Sequence, residues 1–343
     1  MKKQYLTVAF AAFAAFAAPA YAEFGSTLAG VKEAGALKCT SHNGSYLGFA
    51  EVDDNGEWRG LDIDLCRGLA TAIFGDDEGY LELIPLSWAQ RFPSIQAGEV
   101  DIIIKATGWT MGRDTEIGLQ YSVPYFIGTN NVMVHQGLGI DSAAQLDGGS
   151  VCIPAGTTLE RHWASFAAKE GIEVEVLAFE KTEELRAAYY SQRCDGFVQG
   201  GPTLAIARSA ADDPSAHIIM PENLTLEPLA MAMRQGDDQW VDLANWLIFT
   251  LIYAEQEGVT MANVADMKAN PPSAEIGKML GATPGYGERF GLSDDWAFNV
   301  ISKIGNYGEI WDRNLGEGTA YKLPRGINAL WNEGGALYPM LID

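Results

Sequence analysis

The sequence predicts an α/β protein made of two lobes. Short apolar segments with strand character alternate with amphipathic helices, as where residues 61–74 carry leucines at helical spacing after a strand at 37–40. A smaller α/β unit interrupts a larger one, and extended apolar segments at 127–134 and 226–233 mark the two crossings. Two lobes joined by two strands form a hinge, and the cleft between such lobes is a common place for a ligand.

The first lobe is expected to comprise residues 23–130 and 226–343. Gly98 stops the second of its predicted helices. We expect the segment from about 260 to 343 to form a helical extension that packs on this lobe. The other predicted elements are strand 37–40, helix 61–74, strand 81–86, helix 91–97, strand 100–104 and helix 240–257.

The second lobe is expected to be the inserted segment, residues 131–225. Its helix after Thr182 begins with Glu183 and Glu184, whose negative charges suit the positive end of a helix dipole. The predicted elements are strand 151–153, a helix that opens at the turn 154–158 and runs through Ala168, strand 174–179, helix 182–193, strand 195–198 and strand 218–220.

The first 22 residues, 1–22, have the features of a cleaved secretory signal peptide. Two lysines precede an apolar run from Leu6 to about Ala18, and Ala-Tyr-Ala at 20–22 supplies the small-x-small cleavage pattern. The apolar run is shorter than the ~20 residues that a membrane-spanning helix needs. We therefore expect a secreted protein that begins near Glu23.

The composition argues against one class of partner. The 343 residues include 45 acidic and 23 basic side chains, which gives a formal net charge of −22. Nucleic-acid binding needs a basic surface that displaces counterions from phosphates, so we expect no nucleic-acid partner. Apolar residues make up 48% of the chain, which is enough for packed cores in two domains.

The four cysteines are Cys39, Cys66, Cys152 and Cys194, and none of them lies in a C-x-x-C pair. This spacing disfavours a metal or redox site, and an even number of cysteines in an oxidising compartment favours disulfides. Three pairings are possible. The pairing of Cys39 with Cys66 and of Cys152 with Cys194 keeps each bridge inside one predicted lobe.

Several motifs, taken in order along the chain, resemble one protein family. The first is G-L-D-I-D-L at 60–65, a helix start that carries two acids in front of an apolar face. The others are Q-A-G-E-V-D at 96–101, W-T-M-G-R-D at 109–114, Y-S-V-P-Y at 121–125, V-C-I-P-A-G-T-T at 151–158, C-D-G-F at 194–197 and E-P-L-A-M-A-M at 227–233. Together they resemble the family 3 solute-binding proteins, the polar amino-acid receptors of ABC importers. The segments 296–299, 305–310 and 325–331 are similar to the extension of the long, general L-amino-acid-binding subgroup.

The resemblance implies a type II periplasmic-binding-protein fold with a helical C-terminal extension. It also implies a function: a monomeric receptor in the periplasm captures an amino acid or a related carboxylate between its lobes. The receptor then delivers this small-molecule ligand to a membrane permease, with no cofactor, no metal and no catalysis.

The family's carboxylate-binding arginine corresponds to Arg113 in this sequence. A planar guanidinium can hold a carboxylate through two parallel hydrogen bonds, although a surface ion pair with Asp114 is the alternative. The turn Gly156-Thr157-Thr158 opens a helix. Its free N–H groups and the Thr158 hydroxyl would bind the same carboxylate from the second lobe.

Other candidates surround this carboxylate site. Backbone donors are expected from the stretch Thr107-Gly108-Trp109. Tyr46 and Trp88 occupy positions where the family has cleft walls, and either could equally be a core residue. Arg91 could meet an acidic side chain of the ligand.

The ammonium side of the site departs from the family pattern. Five residues after Asp195, where the family usually has an aspartate for the ligand's α-ammonium, this sequence has Gly200. Asn43 stands where many relatives have another aspartate. A buried ammonium without an anionic partner is costly. Either Asn43, Gln199 or carbonyls of the glycine loop at 199–202 take its place, or the ligand lacks a primary ammonium.

Two alternatives therefore stay open. The ligand could be betaine-like, with Tyr46, Trp88 and Trp109 as an aromatic box for a methylated ammonium. The chain could also be a dehydratase-type enzyme on the same fold, with His42 and Glu160 near the cleft. The sequence shows no metal-binding histidine spacing, no nucleophile elbow and no phosphate loop, so we expect no enzymatic activity.

Overall fold

The computed structural model of the protein describes residues 25–343, and the predicted signal peptide lies outside them. The strands are β1 Leu37–His42, β2 Glu51–Val52, β3 Trp58–Arg59, β4 Leu81–Leu86, β5 Leu119–His135, β6 Ser150–Pro154, β7 Glu175–Phe179, β8 Gly196–Gly200, β9 His217–Ile219 and β10 Thr225–Arg234. The helices are α1 Ser26–Ala34, α2 Leu61–Phe74, α3 Arg91–Ala97, α4 Met111–Thr115, α5 Thr158–Glu170, α6 Thr182–Tyr190, α7 Gly201–Ser209, α8 Asp238–Gln256, α9 Val264–Ala269, α10 Ala274–Met279, α11 Trp296–Ile304 and α12 Tyr307–Asn314.

Two neighbouring strands connect the lobes. β5 pairs antiparallel with β10 from Leu119 opposite Arg234 to Asn130 opposite Thr225, and beyond that point β5 pairs with β8. The predicted architecture of two lobes joined by two hinge strands is therefore confirmed. β5 runs through the predicted limit at 130 without a break, and β10 begins at Thr225, so the limits themselves stay a prediction.

The first lobe is built around one large core. β1 and β4 pair in parallel, and the core combines Leu69 of α2 with Leu247 of α8 and Ile301 of α11. α2 and α11 approach closely because Gly68 has no side chain: an added Cβ would lie 2.6 Å from Cδ1 of Ile304. The C-terminal extension thus packs on the first lobe, as the sequence predicts.

A buried acid ties α2 to the end of this extension. Asp64 accepts hydrogen bonds from the Arg313 guanidinium at 2.7 and 3.1 Å and from the Asn314 amide at 2.6 Å. Arg67 of α2 adds an ion pair with Asp64 at 3.4 Å. The second acid of the G-L-D-I-D-L motif therefore has a structural partner far along the chain.

The second lobe has a sheet in the order β5-β8-β6-β7, with a core on each face. Val132 and Trp163 belong to one core, whereas Met133 and Phe197 belong to the other. This split follows from the alternation of side chains along a strand. Ile206 of α7 packs into the core of the first lobe, so the two lobes are in apolar contact.

Each lobe contains one disulfide. Cys39 of β1 pairs with Cys66 of α2, and Cys152 of β6 pairs with Cys194 just before β8, with Cα atoms 6.0 and 5.6 Å apart. Of the three possible pairings, this is the one that keeps each bridge within a lobe.

Two predictions about secondary structure are wrong. Residues 100–104 form isolated bridges instead of a strand, because Ile102 meets Cys39 in parallel and Ile103 meets Ala232 antiparallel, which leaves no continuous ladder. The expected glycine loop at 199–202 is the end of β8 followed by α7. Pro202 suits the first turn of α7, where its missing N–H leaves no hydrogen bond unmade.

Helix boundaries differ from the prediction by one to three residues in α5, α6 and α8: α5 ends at Glu170 instead of Ala168, and α8 spans Asp238–Gln256 instead of 240–257. α6 ends at Tyr190 instead of residue 193. The longest helix, α8, begins after Asp237, whose side chain accepts the Trp240 N–H. No helix among residues 25–343 combines the length and the apolar character of a membrane span.

Candidate functional site

A cavity lies between the two lobes at the hinge strands. It contains about 530 Å³ of space outside the protein atoms, part of which opens to solvent. Its walls come from loops of the first lobe, from β5 and β10, and from the start of α5. The predicted ligand residues that line it are Tyr46, Trp88, Arg91, Gly108, Arg113, Thr157, Thr158, Gln199 and Gly200.

Arg113 reaches the cavity from the short helix α4. The Thr110 hydroxyl accepts the Arg113 N–H at 3.3 Å and so caps the helix. The guanidinium donates to the Gly108 carbonyl at 2.7 Å and lies over the Phe92 ring, 5.0 Å from its centroid. The side chain is 6% exposed, and burial lowers its pKa. A buried cation held at one end offers its remaining donors to an anion.

Arg91 is a second cation in the same cavity. It is 1% exposed, donates to the Trp88 carbonyl, and its Nε has no hydrogen-bond partner among residues 25–343. Burial and then the charge of Arg113 lower the pKa of Arg91. None of the ion pairs within residues 25–343 involves either arginine. The cavity therefore presents two guanidinium groups without a direct ion-pair partner to an anionic ligand.

The start of α5 is already hydrogen-bonded. Glu160 accepts the N–H groups of Gly156 and Thr157 at 2.8 and 3.3 Å, as an acid in the first helical turn often does. The Thr158 hydroxyl donates to Glu227 at 2.6 Å. A ligand carboxylate at this helix would compete with Glu160 for backbone donors, and Gly156 does not line the cavity.

Aromatic rings form the wall on the side of the first lobe. Tyr46 and Trp88 meet edge to face with centroids 5.3 Å apart, and His42 stacks behind Tyr46. Phe49 and Phe126 complete the apolar surface. This wall suits the carbon skeleton of a small ligand.

Four predicted residues do not line the cavity. Trp109 is 40% exposed, stacks on Tyr121 and donates to Asp114. Thr107 is buried, and its hydroxyl donates to the Lys105 carbonyl. The Asn43 N–H donates to the Leu86 carbonyl. Gly156, at the start of α5, is the fourth. Because Trp109 points away, the structure does not assemble the aromatic box of the betaine alternative.

Asp62 supports the loop that carries Gly108. Its carboxylate accepts the Ala106 N–H at 2.9 Å and the Tyr125 hydroxyl at 2.7 Å. Ala106 has a φ of 37°, in the left-handed region that a residue with a side chain rarely adopts. The first acid of the G-L-D-I-D-L motif thus holds a strained turn beside the ligand cavity.

The cavity also contains residues that the sequence did not suggest as ligand contacts. Glu227 and Asn130 line it from β10 and β5, and Thr203 lines it from α7. Glu227 lies in the E-P-L-A-M-A-M motif, but a motif match does not show that this side chain faces the cavity. The pairing of Glu227 with Gly128 in the ladder between β10 and β5 sets the direction of the side chain.

The residues of the enzymatic alternative do not meet in the cavity. His42 is buried behind Tyr46, and burial lowers its pKa, while Glu160 caps α5. Neither residue lines the cavity. Within residues 25–343, no group of three or more histidine, cysteine or carboxylate side chains is placed to hold a metal ion.

The fold and the interlobe cavity define a two-lobed binding protein of the type II periplasmic class. Residues 40–257 match the bacterial extracellular solute-binding proteins, family 3, and the chain belongs to that family.

Two relatives from named bacteria match nearly the whole chain. The general L-amino acid-binding periplasmic protein AapJ of Rhizobium johnstonii is 40% identical over 340 residues, 98% of each chain. The glutamate/glutamine/aspartate/asparagine-binding protein BztA of Rhodobacter capsulatus is 35% identical over 340 residues, again 98% of each. A solved periplasmic binding protein from Brucella ovis with glutathione bound is 40% identical, with a TM-score of 0.87 over 92% of this chain and 99% of that one.

Proposed function

We propose that this chain is the amino-acid receptor of an ABC importer and that its ligand binds in the cavity between the lobes. The ligand's α-carboxylate binds Arg113, the lobes close on it, and the closed complex docks on a membrane permease. The observation that carries this proposal is the buried Arg113 guanidinium, which faces the cavity without an ion-pair partner among residues 25–343.

The relatives favour amino-acid ligands. Two of them are named as amino-acid-binding proteins, and the third has bound glutathione, itself built from amino acids. Arg91 adds a preference for a second carboxylate, because its Nε is buried and unpartnered at the cavity wall. We therefore expect acidic amino acids and their amides or conjugates among the ligands.

The cellular location of the receptor is part of the same proposal. The named relatives are periplasmic or amino-acid-binding proteins, and residues 1–22 have the pattern of a cleaved signal peptide. We propose a periplasmic monomer that binds no nucleic acid and catalyses no reaction.

Calorimetry of the secreted form, residues 23–343, tests the proposal. The titrants are L-glutamate, L-glutamine, glutathione and glycine betaine. Tight binding of at least one of the first three, with glycine betaine silent, is the expected result. Binding of betaine alone would favour the methylated-ammonium alternative, and binding of none of the four would refute an amino-acid receptor. Consumption of a bound ligand, followed by NMR, would instead show an enzyme.

A further inference from the structure

Glu227 is a buried carboxylate in the wall of the ligand cavity. It lies on β10, one of the two hinge strands, and is 8% exposed. One oxygen accepts the Thr158 hydroxyl at 2.6 Å, and the other accepts the Asn130 amide at 2.8 Å. The negative charge therefore points into the space where the ligand is expected.

Glu227 has no direct cationic partner within the described chain, although the charges of Arg91 and Arg113 act on it across the cavity. Glu227 takes part in none of the ion pairs among residues 25–343. Its two hydrogen bonds come from neutral donors, whereas an ionised carboxylate accepts about four. A buried anion without a cationic partner is costly, so the site favours a cation that brings further N–H donors.

Glu227 and Gly200 lie on the two strands that flank β5. β5 lies between β10 and β8, with Gly128 opposite Glu227 on one side and Asn130 opposite Gly200 on the other. The acid that the family places at position 200 is absent. Glu227 supplies an acid on the other side of β5, opposite a residue two positions before the partner of Gly200. Both positions line the same cavity.

Gly108 leaves the space that the Glu227 side chain occupies. A Cβ at residue 108 would lie 1.9 Å from Oε1 of Glu227. Gly108 also holds Arg113 through its carbonyl. The carboxylate and the guanidinium thus flank the same glycine.

From these contacts we infer that Glu227 binds the ligand's α-ammonium in place of the absent acid at Gly200, while Arg113 and Arg91 bind two carboxylates of the same ligand. This inference rests on the proposed function. The ionic residues that line the cavity are two arginines and one glutamate, so the complementary ligand has two carboxylates and one ammonium. L-Glutamate, L-aspartate and γ-glutamyl conjugates have this charge pattern.

The test compares two ligands that differ only in the ammonium. Calorimetry measures the affinities of L-glutamate and glutarate for the wild-type secreted form and for Glu227→Gln. The wild type prefers L-glutamate, and Glu227→Gln lowers that preference at least ~10-fold, mostly through weaker binding of L-glutamate. If Glu227 served only to link the lobes through Thr158, the affinities of both ligands would fall by the same factor. An equal loss, or an unchanged preference, overturns the inference.

A control and a rescue variant complete the experiment. Glu183 of α6 accepts the Ser45 N–H at 3.0 Å across the lobes and does not line the cavity, so Glu183→Gln leaves the ratio of affinities unchanged. Gly200 can accept a side chain: its φ is −55°, and the nearest atom to an added Cβ is the Tyr46 hydroxyl at 3.5 Å. Adding Gly200→Asp to Glu227→Gln should restore the preference for L-glutamate, and a failure to restore it would count against a shared ammonium site.

Two further outcomes separate the possible failures. If Glu227→Gln does not melt cooperatively, Glu227→Asp takes its place. Its shorter carboxylate should lower the preference for L-glutamate, and an unchanged preference overturns the inference. If the wild type binds no amino acid in the calorimetric panel, the proposed function fails and the inference fails with it. If the wild type binds amino acids but the preference is insensitive to residue 227, only the inference fails.

Discussion

At the scale of single residues, buried charges decide what the cavity can hold. Arg91, Arg113 and Glu227 are each less than a tenth exposed and take part in no ion pair among residues 25–343. Charged groups lose their hydration on burial, and only hydrogen bonds or opposite charges offset the free energy that this costs. The cavity is therefore preorganised for a ligand that brings the opposite charges in matching positions.

Replacing Arg113 by glutamine removes the proposed carboxylate partner. Loss of one partner of a buried charge pair costs about 2–5 kcal/mol, so the affinity for a bound amino acid should fall by ~30-fold or more. Calorimetry measures the loss, and a thermal melt checks that the fold persists. Arg161→Gln, at an exposed position on α5, removes the same charge and should change the affinity little. Equal losses in the two variants would contradict the role of Arg113.

Asp62 should give the fold a measurable pH dependence. Burial raises the pKa of Asp62 to about 7, above its value of 3.8 in the unfolded chain. Between these values the folded protein keeps a proton that the unfolded chain has lost, so this group lowers stability as the pH rises from about 4 to 7.

Asp62→Asn removes that proton while it keeps an oxygen for the Ala106 N–H. The unfolding free energy of the variant minus that of the wild type should therefore be on the order of 2 kcal/mol higher at pH 7.5 than at pH 5. Urea unfolding of both proteins at the two pH values measures the difference. A stability difference that is the same at both values would contradict the raised pKa.

At the scale of the elements, helices and strands were predictable where one periodicity governs a whole segment. The bounds of α2, β4 and α3, at 61–74, 81–86 and 91–97, agree with the sequence prediction. Residues 100–104 are as apolar as a strand, but their partner changes after one residue. A single sequence does not show how many neighbours a buried segment has, so the ladder was overestimated.

The link between α2 and α12 carries a prediction about stability. Asp64→Ala leaves the Arg313 and Asn314 donors without their buried acceptor, which should lower the unfolding free energy by about 3 kcal/mol. The matched control is Asp54→Ala, at an exposed turn, with an expected change within about 0.5 kcal/mol. Urea unfolding measures both. Similar values for the two variants would mean that the extension is not anchored at Asp64.

At the scale of the whole molecule, the cavity exists only because distant segments meet. Arg113, Thr158 and Gln199 could be predicted as neighbours because the resemblance relates each motif to a known site. Glu227 could not be assigned in the same way. The direction of its side chain depends on the register of β10 against β5, and bulges at Leu229/Ala230 and Ala230/Ala232 shift that register nearby.

Two hinge strands between two lobes predict a change of shape on binding. Hydrogen bonds join Thr158 to Glu227 and Ser45 to Glu183 across the lobes, so the structure shows the lobes in contact. An empty cleft should open by rotation about β5 and β10. Small-angle scattering should therefore give a smaller radius of gyration with saturating amino acid than without it. Identical values would contradict hinge closure.

A crystal structure of the secreted form with the tightest-binding amino acid of the panel tests the central claim most directly. The account predicts the ligand in the cavity between the lobes, with its α-carboxylate on the Arg113 guanidinium and its ammonium within hydrogen-bonding distance of Glu227. A ligand outside this cavity, or one whose carboxylate makes no contact with Arg113, would contradict it.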